Sequence, residues 1–398
     1  MVLFRALKVL LSTTHPPARC CSGYVSRMRY LYQLKEDDEA CAAALENAHV
    51  LLFHRLAPLL KRTEDGTFRP AALRSSDVLK ILEGLGSSGS LLEESVLIGC
   101  SEQNHAQFCL DVGALHQGAL EDACQCRFLD LRKSFFLLAA SEAPLVAKAQ
   151  ALLRWHQTSG FCRATGYPTH RNRAGSHRVS RGNGAVYYPT VSPVVIVLVS
   201  DGERCLLGRQ PSFPRGMYSA LAGFCDVGES LPEAVRRELA EEAGLEVHAV
   251  AYSSSQHWPF PHSSFMLGCH ASVSPAHSQV DVDHRELEDA RWFTYEEISS
   301  ALQVQAPPTR SAPGTLWLPP KHAIANRLIT EWATRQERLR SAGPAGRGQD
   351  ALNPHHATPS RAPLSHVKRK QEVTDEEEEE LPTTTLMPPA ADPDSHLV

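Results

Sequence analysis

The sequence has no uninterrupted apolar run near the roughly eighteen residues that a membrane-crossing helix requires, so no membrane span is expected. It has no excess of basic charge either. The formal net charge is -5, and no basic field favours general nucleic-acid binding. Paired cysteine spacing is missing as well: the 11 cysteines are odd in number, Cys20 and Cys21 are adjacent, and a single residue separates Cys124 from Cys126. That excludes a disulfide scaffold and reads as reduced thiols in a reducing compartment. The last absence is local. No acidic residue precedes Glu36, whereas Arg5, Lys8, Arg19, Arg27, Arg29 and Lys35 all fall before it. Leu3, Phe4, Leu7, Leu10 and Leu11 can form an apolar stripe beside Arg5 and Lys8. An acid-poor, arginine-rich, amphipathic start marks a mitochondrial transit peptide, here residues 1–35, where a secretory signal would want a longer apolar core. The C-terminal SHLV is not a peroxisomal signal.

What is present is ample for one or two buried cores: 398 residues, 42% of them hydrophobic. Residues 36–158 read as a mixed α/β domain. Ala42 to Leu60 has helical periodicity, Ser95 to Ile98 and Ala106 to Asp111 look like short strands, and Ser141 to Trp155 suits a helix with Pro144 in its first turn. Nothing in this domain is chemically distinctive. Residues 159–190 are rich in Gly, Arg and Ser and read as a loop-like connector. Residues 191–340 change pattern. Pro193 to Val199 is a β-branched run typical of a buried strand, Asp201-Gly202 signals a turn, and Cys205 to Gly208 resumes a strand. Further strands are expected at Val247 to Ser253, Phe265 to Ala271 and Ala290 to Phe293, with a terminal helix from Pro320 to Gln336. Strands flanked by helices predict an α/β/α layered domain. Residues 341–398 hold few large apolar side chains and an acidic block from Asp375 to Glu380, the composition of a disordered tail.

The chemistry concentrates in GESLPEAVRRELAEEAGL, residues 228 to 245. Ser230 and Glu233 have capping-box spacing, Pro232 sits where its missing N–H costs little, and Gly244 suits a C-terminal stop. The helix therefore spans roughly 231 to 243. At about 100° per residue, Leu231, Val235, Glu238 and Glu242 share a sector of roughly 60°, and Glu241 lies about 60° beyond Glu238. Arg236, Glu233 and Ala240 take the opposite face. A solvated charge run would place its glutamates away from Leu231 and Val235. Clustered carboxylates shielded from water are costly to ionise unless a cation neutralises them, and hard divalent ions such as Mg²⁺ or Mn²⁺ suit oxygen ligands. Gly223, in Leu221-Ala222-Gly223-Phe224, permits backbone to approach the same ions.

Gly223, Glu229 and the run Arg237-Glu238-Leu239-Ala240-Glu241-Glu242-Ala243-Gly244-Leu245 stand at the spacing of the Nudix box, and the chain resembles Nudix hydrolases at every position of it. The resemblance implies an α/β/α Nudix sandwich that hydrolyses nucleoside diphosphates linked to another moiety. It implies that Glu238, Glu241 and Glu242 are the catalytic carboxylates, holding divalent ions, with one of them helping to activate water. It adds the Ala222 carbonyl as a ligand and makes Gly223, Glu229, Arg237 and Gly244 structural parts of the box. Arg237 would then orient Glu229 or Glu241 rather than touch substrate.

A second stretch, Ser255-Gln256-His257-Trp258-Pro259-Phe260-Pro261-His262-Ser263, resembles the SQPWPFPxS array of the NADH pyrophosphatase branch, with His257 where proline is usual. That departure is expected to loosen one turn. Gln256, Trp258, Phe260 and Ser263 become candidate substrate contacts, since flat rings beside polar groups can stack a base and bind its ribose or amide. Arg285 to Phe293 is similar to the same branch, and there the resemblance places an acidic metal ligand at Glu286, with Glu288 the lesser choice. Tyr188 and Ala325 match substrate-contacting positions, and a structural role is equally open for both. Many relatives carry a four-cysteine zinc ribbon before the catalytic domain. Here Cys162 remains, while Thr165, Ser180 and Asn183 take the other places. One thiol cannot build a tetrahedral zinc site, so no zinc is expected, as in the mitochondrial zinc-free members of the branch.

The resulting expectation is a mitochondrial matrix enzyme, dependent on Mg²⁺ or Mn²⁺. It would cleave NADH, with NAD⁺ or NADPH as further substrates, into a nicotinamide mononucleotide and AMP or its 2′-phosphate. Two alternatives remain: removal of an NAD cap from RNA, and a dinucleotide-sensing module without turnover. A homodimer is common among such relatives, but no interface is legible in the sequence.

Overall fold

The computed structural model describes residues 23–341 apart from 65, 136, 140, 261–262 and 305–315, and these lie in one compact unit of the chain. The remainder of the expected targeting segment, residues 1–22, and the expected tail from residue 342 lie outside the described residues.

The N-terminal domain runs α1 (Gly23–Glu36), α2 (Asp38–Glu46), β1 (His49–His54), β2 (Ala57–Arg62), β3 (Phe68–Pro70), β4 (Ala72–Arg74) and α3 (Ser75–Gly84). It continues through β5 (Val96–Cys100), β6 (Ala106–Asp111), α4 (Gln117–Cys124), β7 (Arg127–Phe128), α5 (Leu131–Ser134) and α6 (Ala143–Thr158). Helix α1 begins inside the span read as a targeting segment, and its Leu34 is buried. The single helix expected over Ala42 to Leu60 is not there. Asp37 caps α2 by accepting from the Ala40 N–H (2.9 Å), α2 stops at Glu46, and β1 and β2 follow as a hairpin. The misreading has a physical cause. Strand β1 is central, between β2 and β6, and buried on both faces: Val50 and Leu52 enter one core cluster, Leu51 and Phe53 another. A strand with two buried faces shows no alternation to tell it from a helix. Nor does its turn carry Gly or Asn. Arg55 and Leu56 adopt φ 50° and 68°, and the Asp111 carboxylate holds them by accepting both their N–H groups (3.0 and 3.1 Å).

The connector is not a loop. It forms a small sheet of β8 (Thr169–Arg171), β9 (Arg178–Ser180) and β10 (Val186–Tyr187), ordered β10-β9-β8.

The C-terminal domain comprises β11 (Ser192–Ser200), β12 (Cys205–Arg209), β13 (Leu221–Phe224), α7 (Leu231–Ala243), β14 (Ala249–Trp258), β15 (Ser264–Ser272), β16 (Asp289–Phe293), α8 (Tyr295–Leu302) and α9 (Ile324–Ser341). Among the described residues its strands form a six-stranded sheet ordered β14-β15-β11-β12-β16, with β13 also paired to β11. Alternation along β11 builds the layers. Val195, Val197 and Val199 pack with Val235 and Leu239 of α7, while Ile196 and Leu198 pack with Phe293, Leu328 and Trp332 on the α8–α9 side. This is the α/β/α sandwich the sequence predicts. Helix α8 was not foreseen. Its Thr294 cap accepts from the Glu297 N–H, and its short apolar face buries Ile298 and Ala301, with Tyr295 and Leu302 packed beside them.

Candidate active site

Helix α7 occupies the predicted residues, and its caps explain why. The Glu233 carboxylate accepts from the Ser230 N–H (2.8 Å) and hydroxyl (2.6 Å), and Gly244 closes the helix in the left-handed region at φ 64°. Glu238 and Glu242 are buried beside Val235 and Leu239, whereas Glu233, Arg236 and Ala240 are exposed.

Gly223 in β13 lies directly under the Glu238 carboxylate: a Cβ built there would meet its Cδ and Oε2 at 1.9 Å. Ala222 is half-buried in the same strand, opposite Ile196 of β11. Arg237 ties the box together. Its Nε and Nη2 donate to the two oxygens of Glu229 (2.6 and 3.0 Å), its Nη1 to Glu238 and Glu241 (each 2.9 Å), and its Nη2 also to the Phe224 carbonyl (2.7 Å). The Arg237 bond and the Asp226 N–H hold the Glu229 carboxyl below its usual range. Arg237 thus orients Glu229, Glu238 and Glu241 from within the box.

Glu242 is different. Its Oε2 is buried with no hydrogen-bond partner. Burial first, then the charges of Glu238, Glu286 and Glu241, push its carboxyl up to about 8. Burial also raises Glu238, against Arg237. Glu286 reaches this group from the β15–β16 loop, which is fixed to the end of α7: the Asp281 and Asp283 N–H groups donate to the carbonyls of Ala243 and Glu242 (2.9 and 3.0 Å). Glu288 instead pairs with Arg209 (3.1 Å). Among the described residues no three acidic, His or Cys side chains close on one point, because Glu238 and Glu241 are turned onto Arg237. The donor set nevertheless fits a hard cation. It offers oxygen ligands only, a buried carboxylate oxygen without a partner, and a side-chain-free glycine cradle beneath Glu238.

The candidate substrate segment is used internally more than its sequence suggested. The Gln256 amide is engaged at both ends, donating to the His322 carbonyl (2.7 Å) and accepting from the Ile324 N–H (2.8 Å), so it pins β14 to the start of α9. Phe260 is buried and packs edge-on against Phe135 of the N-terminal domain, so it supports the segment instead of offering a face. Trp258 is half-buried, its ring against Phe135 and Phe260. Ser263 bonds the His257 ring (2.9 Å), and β14 runs unbroken through His257 to Trp258. The histidine therefore closes the turn that the missing proline was expected to loosen. Ala325 is buried in the first turn of α9 beside Ile324. Tyr188 is exposed, with its ring against His177, on the connector and not in that aromatic cluster. Sequence reasoning missed Phe135 and His322, whose rings pack edge-on at 5.0 Å. Only a Ser134-Phe135-Phe136-Leu137-Leu138 run hinted at anything there.

In the connector the Cys162 thiol meets hydroxyls. It bonds Tyr187 (3.0 Å), and Thr165 and Ser180, two of the positions left by the ribbon cysteines, lie within its hydrogen-bond reach. Asn183 instead accepts from the Ala185 N–H (3.1 Å).

An acid-lined strand–helix cradle on an α/β/α sandwich defines a class, and the family comparisons agree with it. A NUDIX domain profile matches residues 190–313, and a profile described as an NADH pyrophosphatase-like rudimentary NUDIX domain matches residues 47–155. The chain belongs to the Nudix family, in the branch that carries both domains. It is 49% identical to the mitochondrial NAD(P)H pyrophosphatase NUDT13 of Homo sapiens over 80% of this chain and 93% of that one. Against the Mus musculus protein of the same name the identity is 47%, over 79% and 92%. The NAD-capped RNA hydrolase NUDT12 of Macaca fascicularis is 43% identical over 49% of this chain and 42% of that relative.

Proposed function

We propose that this chain is a metal-dependent NAD(P)H pyrophosphatase of mitochondria, acting in the matrix. It hydrolyses the dinucleotide phosphoanhydride to reduced nicotinamide mononucleotide and AMP, or 2′,5′-ADP from the phosphorylated dinucleotide. The observation that carries this reading is the set of carboxylates on α7 and the β15–β16 loop: Glu238 over Gly223, Glu241 bonded with it to Arg237, and Glu242, whose buried oxygen is unpartnered and whose ionisation the charges of Glu238, Glu286 and Glu241 oppose. The relatives named as NAD(P)H pyrophosphatases, similar over nearly their whole length, supply the substrate class.

These carboxylates, with the Ala222 carbonyl, would hold Mg²⁺ or Mn²⁺. When bound, such ions neutralise the diphosphate and lower the pKa of an attacking water. Arg237 keeps Glu229, Glu238 and Glu241 aligned, and a carboxylate of the group takes the proton that the attacking water releases. Trp258 keeps ring surface for stacking a base, with Gln256 and Phe260 fixing its strand from behind and Ser263, Ala325 and Tyr188 completing the substrate contacts. The connector holds together through the Cys162 hydroxyl contacts and needs no zinc.

Purified protein incubated with NADH and Mg²⁺ or Mn²⁺ should release AMP. Glu241→Gln and Glu242→Gln should each lower kcat by at least about a hundredfold with the circular dichroism spectrum unchanged. Tight NADH binding without any AMP, even at high enzyme concentration, would mean a sensor instead. A second reading, hydrolysis of NAD-capped RNA, is favoured only by the half-length similarity to NUDT12. It predicts a kcat/KM on capped RNA above that on free NADH.

A further inference from the structure

The pyrophosphatase reading places substrate contacts on β14 and the start of α9, both in the C-terminal domain. One side chain of the other domain, Phe135, touches both of these pieces. Phe135, which follows α5, is 2% exposed and sits in a core cluster that also contains Leu51, Phe53 and Val146 of its own domain. Its ring meets Trp258 edge-on (5.3 Å between centroids, 79°), Phe260 (5.9 Å, 87°) and His322 (5.0 Å, 62°). Trp258 and Phe260 are edge-on to each other as well (5.6 Å, 82°). The His322 ring hydrogen-bonds the Phe135 backbone. The His322 carbonyl in turn accepts from Gln256, whose other end receives the Ile324 N–H, next to Ala325. Arg132 of α5 lies over the outer edge of this group, its guanidinium 5.5 Å from the Phe260 ring centre.

We propose that Phe135 is a positioning residue for dinucleotide binding: its ring, at the centre of the contacts the N-terminal domain makes here, sets the angle of Trp258 and the seat of the α9 start. The proposal rests on the pyrophosphatase reading for its ligand. The physical basis is the geometry of edge-to-face packing. Each ring presents its positive edge to a neighbour's negative face, so removing the central ring frees the other three to tilt. The metal-binding carboxylates are tied to β13, α7 and the β15–β16 loop and have no part in this cluster. The expected defect is therefore in binding and not in the hydrolytic step.

The test uses the full chain, with Phe135→Leu as the conservative variant and the exposed Arg132→Ala as a second that leaves the core intact. Phe135→Leu should raise KM for NADH about tenfold with kcat within about twofold, and Arg132→Ala should raise KM about threefold. Amide hydrogen exchange should quicken in residues 254–260 and 322–328 while α7 keeps its protection. A KM within twofold of wild type in both variants overturns the proposal. So does a rise matched by an equal fall in kcat and by faster exchange throughout α7, the signature of general loosening. Wild-type protein that leaves NADH intact refutes the pyrophosphatase reading itself. Exchange then decides the positioning role alone: quickening confined to the two segments upholds it, and none, or quickening everywhere, overturns it.

Discussion

At the scale of single residues, Gly223 and Arg237 make the strongest demands. A methyl at position 223 would fall 1.9 Å from the Glu238 Oε2 and 2.1 Å from its Oε1. The carboxylate would have to swing away, yet it is buried and bonded to Arg237. Gly223→Ala should therefore cut kcat by about a hundredfold or more. Its melting temperature should move by only a few degrees, since no core contact is lost. A near-normal rate would show that Glu238 does not need its present place. Arg237→Lys tests geometry against charge. Lysine keeps the positive charge but cannot donate in parallel to both oxygens of Glu229 while also reaching Glu238 and Glu241. Initial-rate assays should show kcat falling by about ten- to a hundredfold, with the loss persisting at saturating divalent ion. These roles were legible in the sequence because a helix of fixed period decides which glutamates point inward and a glycine advertises close approach. The role of Phe135 was not. Its partners come from distant parts of the chain, and a buried phenylalanine looks alike in sequence whether it fills a core or props a binding segment.

At the scale of elements, α7 was readable to the residue because both its ends are chemically marked. The β1–β2 hairpin was misread because neither its strands nor its turn carries a local mark. It depends on Asp111 of β6, a tertiary partner, to hold two residues at positive φ. The same contrast sorts the substrate segment: its residue types were visible, but not that Gln256 and Phe260 are occupied by α9 and Phe135. The caps of α7 can be tested apart from its chemistry. Glu233 is exposed, opposite the buried glutamates, and its carboxylate serves only the first turn through Ser230. Glu233→Ala should cost about 1 kcal/mol in urea unfolding, the usual loss for a helix cap, with kcat within about twofold. A large loss of rate without loss of stability would place Glu233 in the site and contradict the face assignment.

At the scale of the whole molecule, the two domains and the connector are joined by apolar and polar contacts, one of which titrates. Phe260 and Trp258 enter the core cluster of the N-terminal domain, and the connector docks on that domain through polar groups. Asn172 donates to the Lys35 carbonyl (2.9 Å), Arg171 and Arg173 donate to the Glu93 carbonyl (2.8 and 2.7 Å), and His156 of α6 receives Arg178. His156 is the pH-sensitive member. Arg178 can only donate, so Nδ1 of His156 must accept (3.0 Å), and the proton sits on Nε2, directed at the Gly175 carbonyl (2.9 Å). Burial chiefly, with Arg171 and Arg178 adding to it against the Gly175 bond, lowers the imidazole from 6.5 to about 4. In the unfolded chain the ring takes a proton near its ordinary value of about 6.5. Between that pH and about 4 the unfolded state binds a proton that the folded state refuses, so this contribution to stability is whole above about pH 6.5 and is lost as pH falls toward 4. The loss should be on the order of 3 kcal/mol. His156→Gln removes the titration. Carboxylates titrate alike in both proteins, so subtracting the variant's pH–stability curve from that of the wild type isolates the histidine. The difference should shrink steadily from pH 6.5 to pH 4, and parallel curves over that window would rule the histidine out. Because His156 joins the N-terminal domain to the connector that leads into β11, the first protection against hydrogen exchange to be lost in acid, relative to the slower intrinsic exchange there, should be in residues 169–180 and not in the sandwich core around Val195 and Leu239.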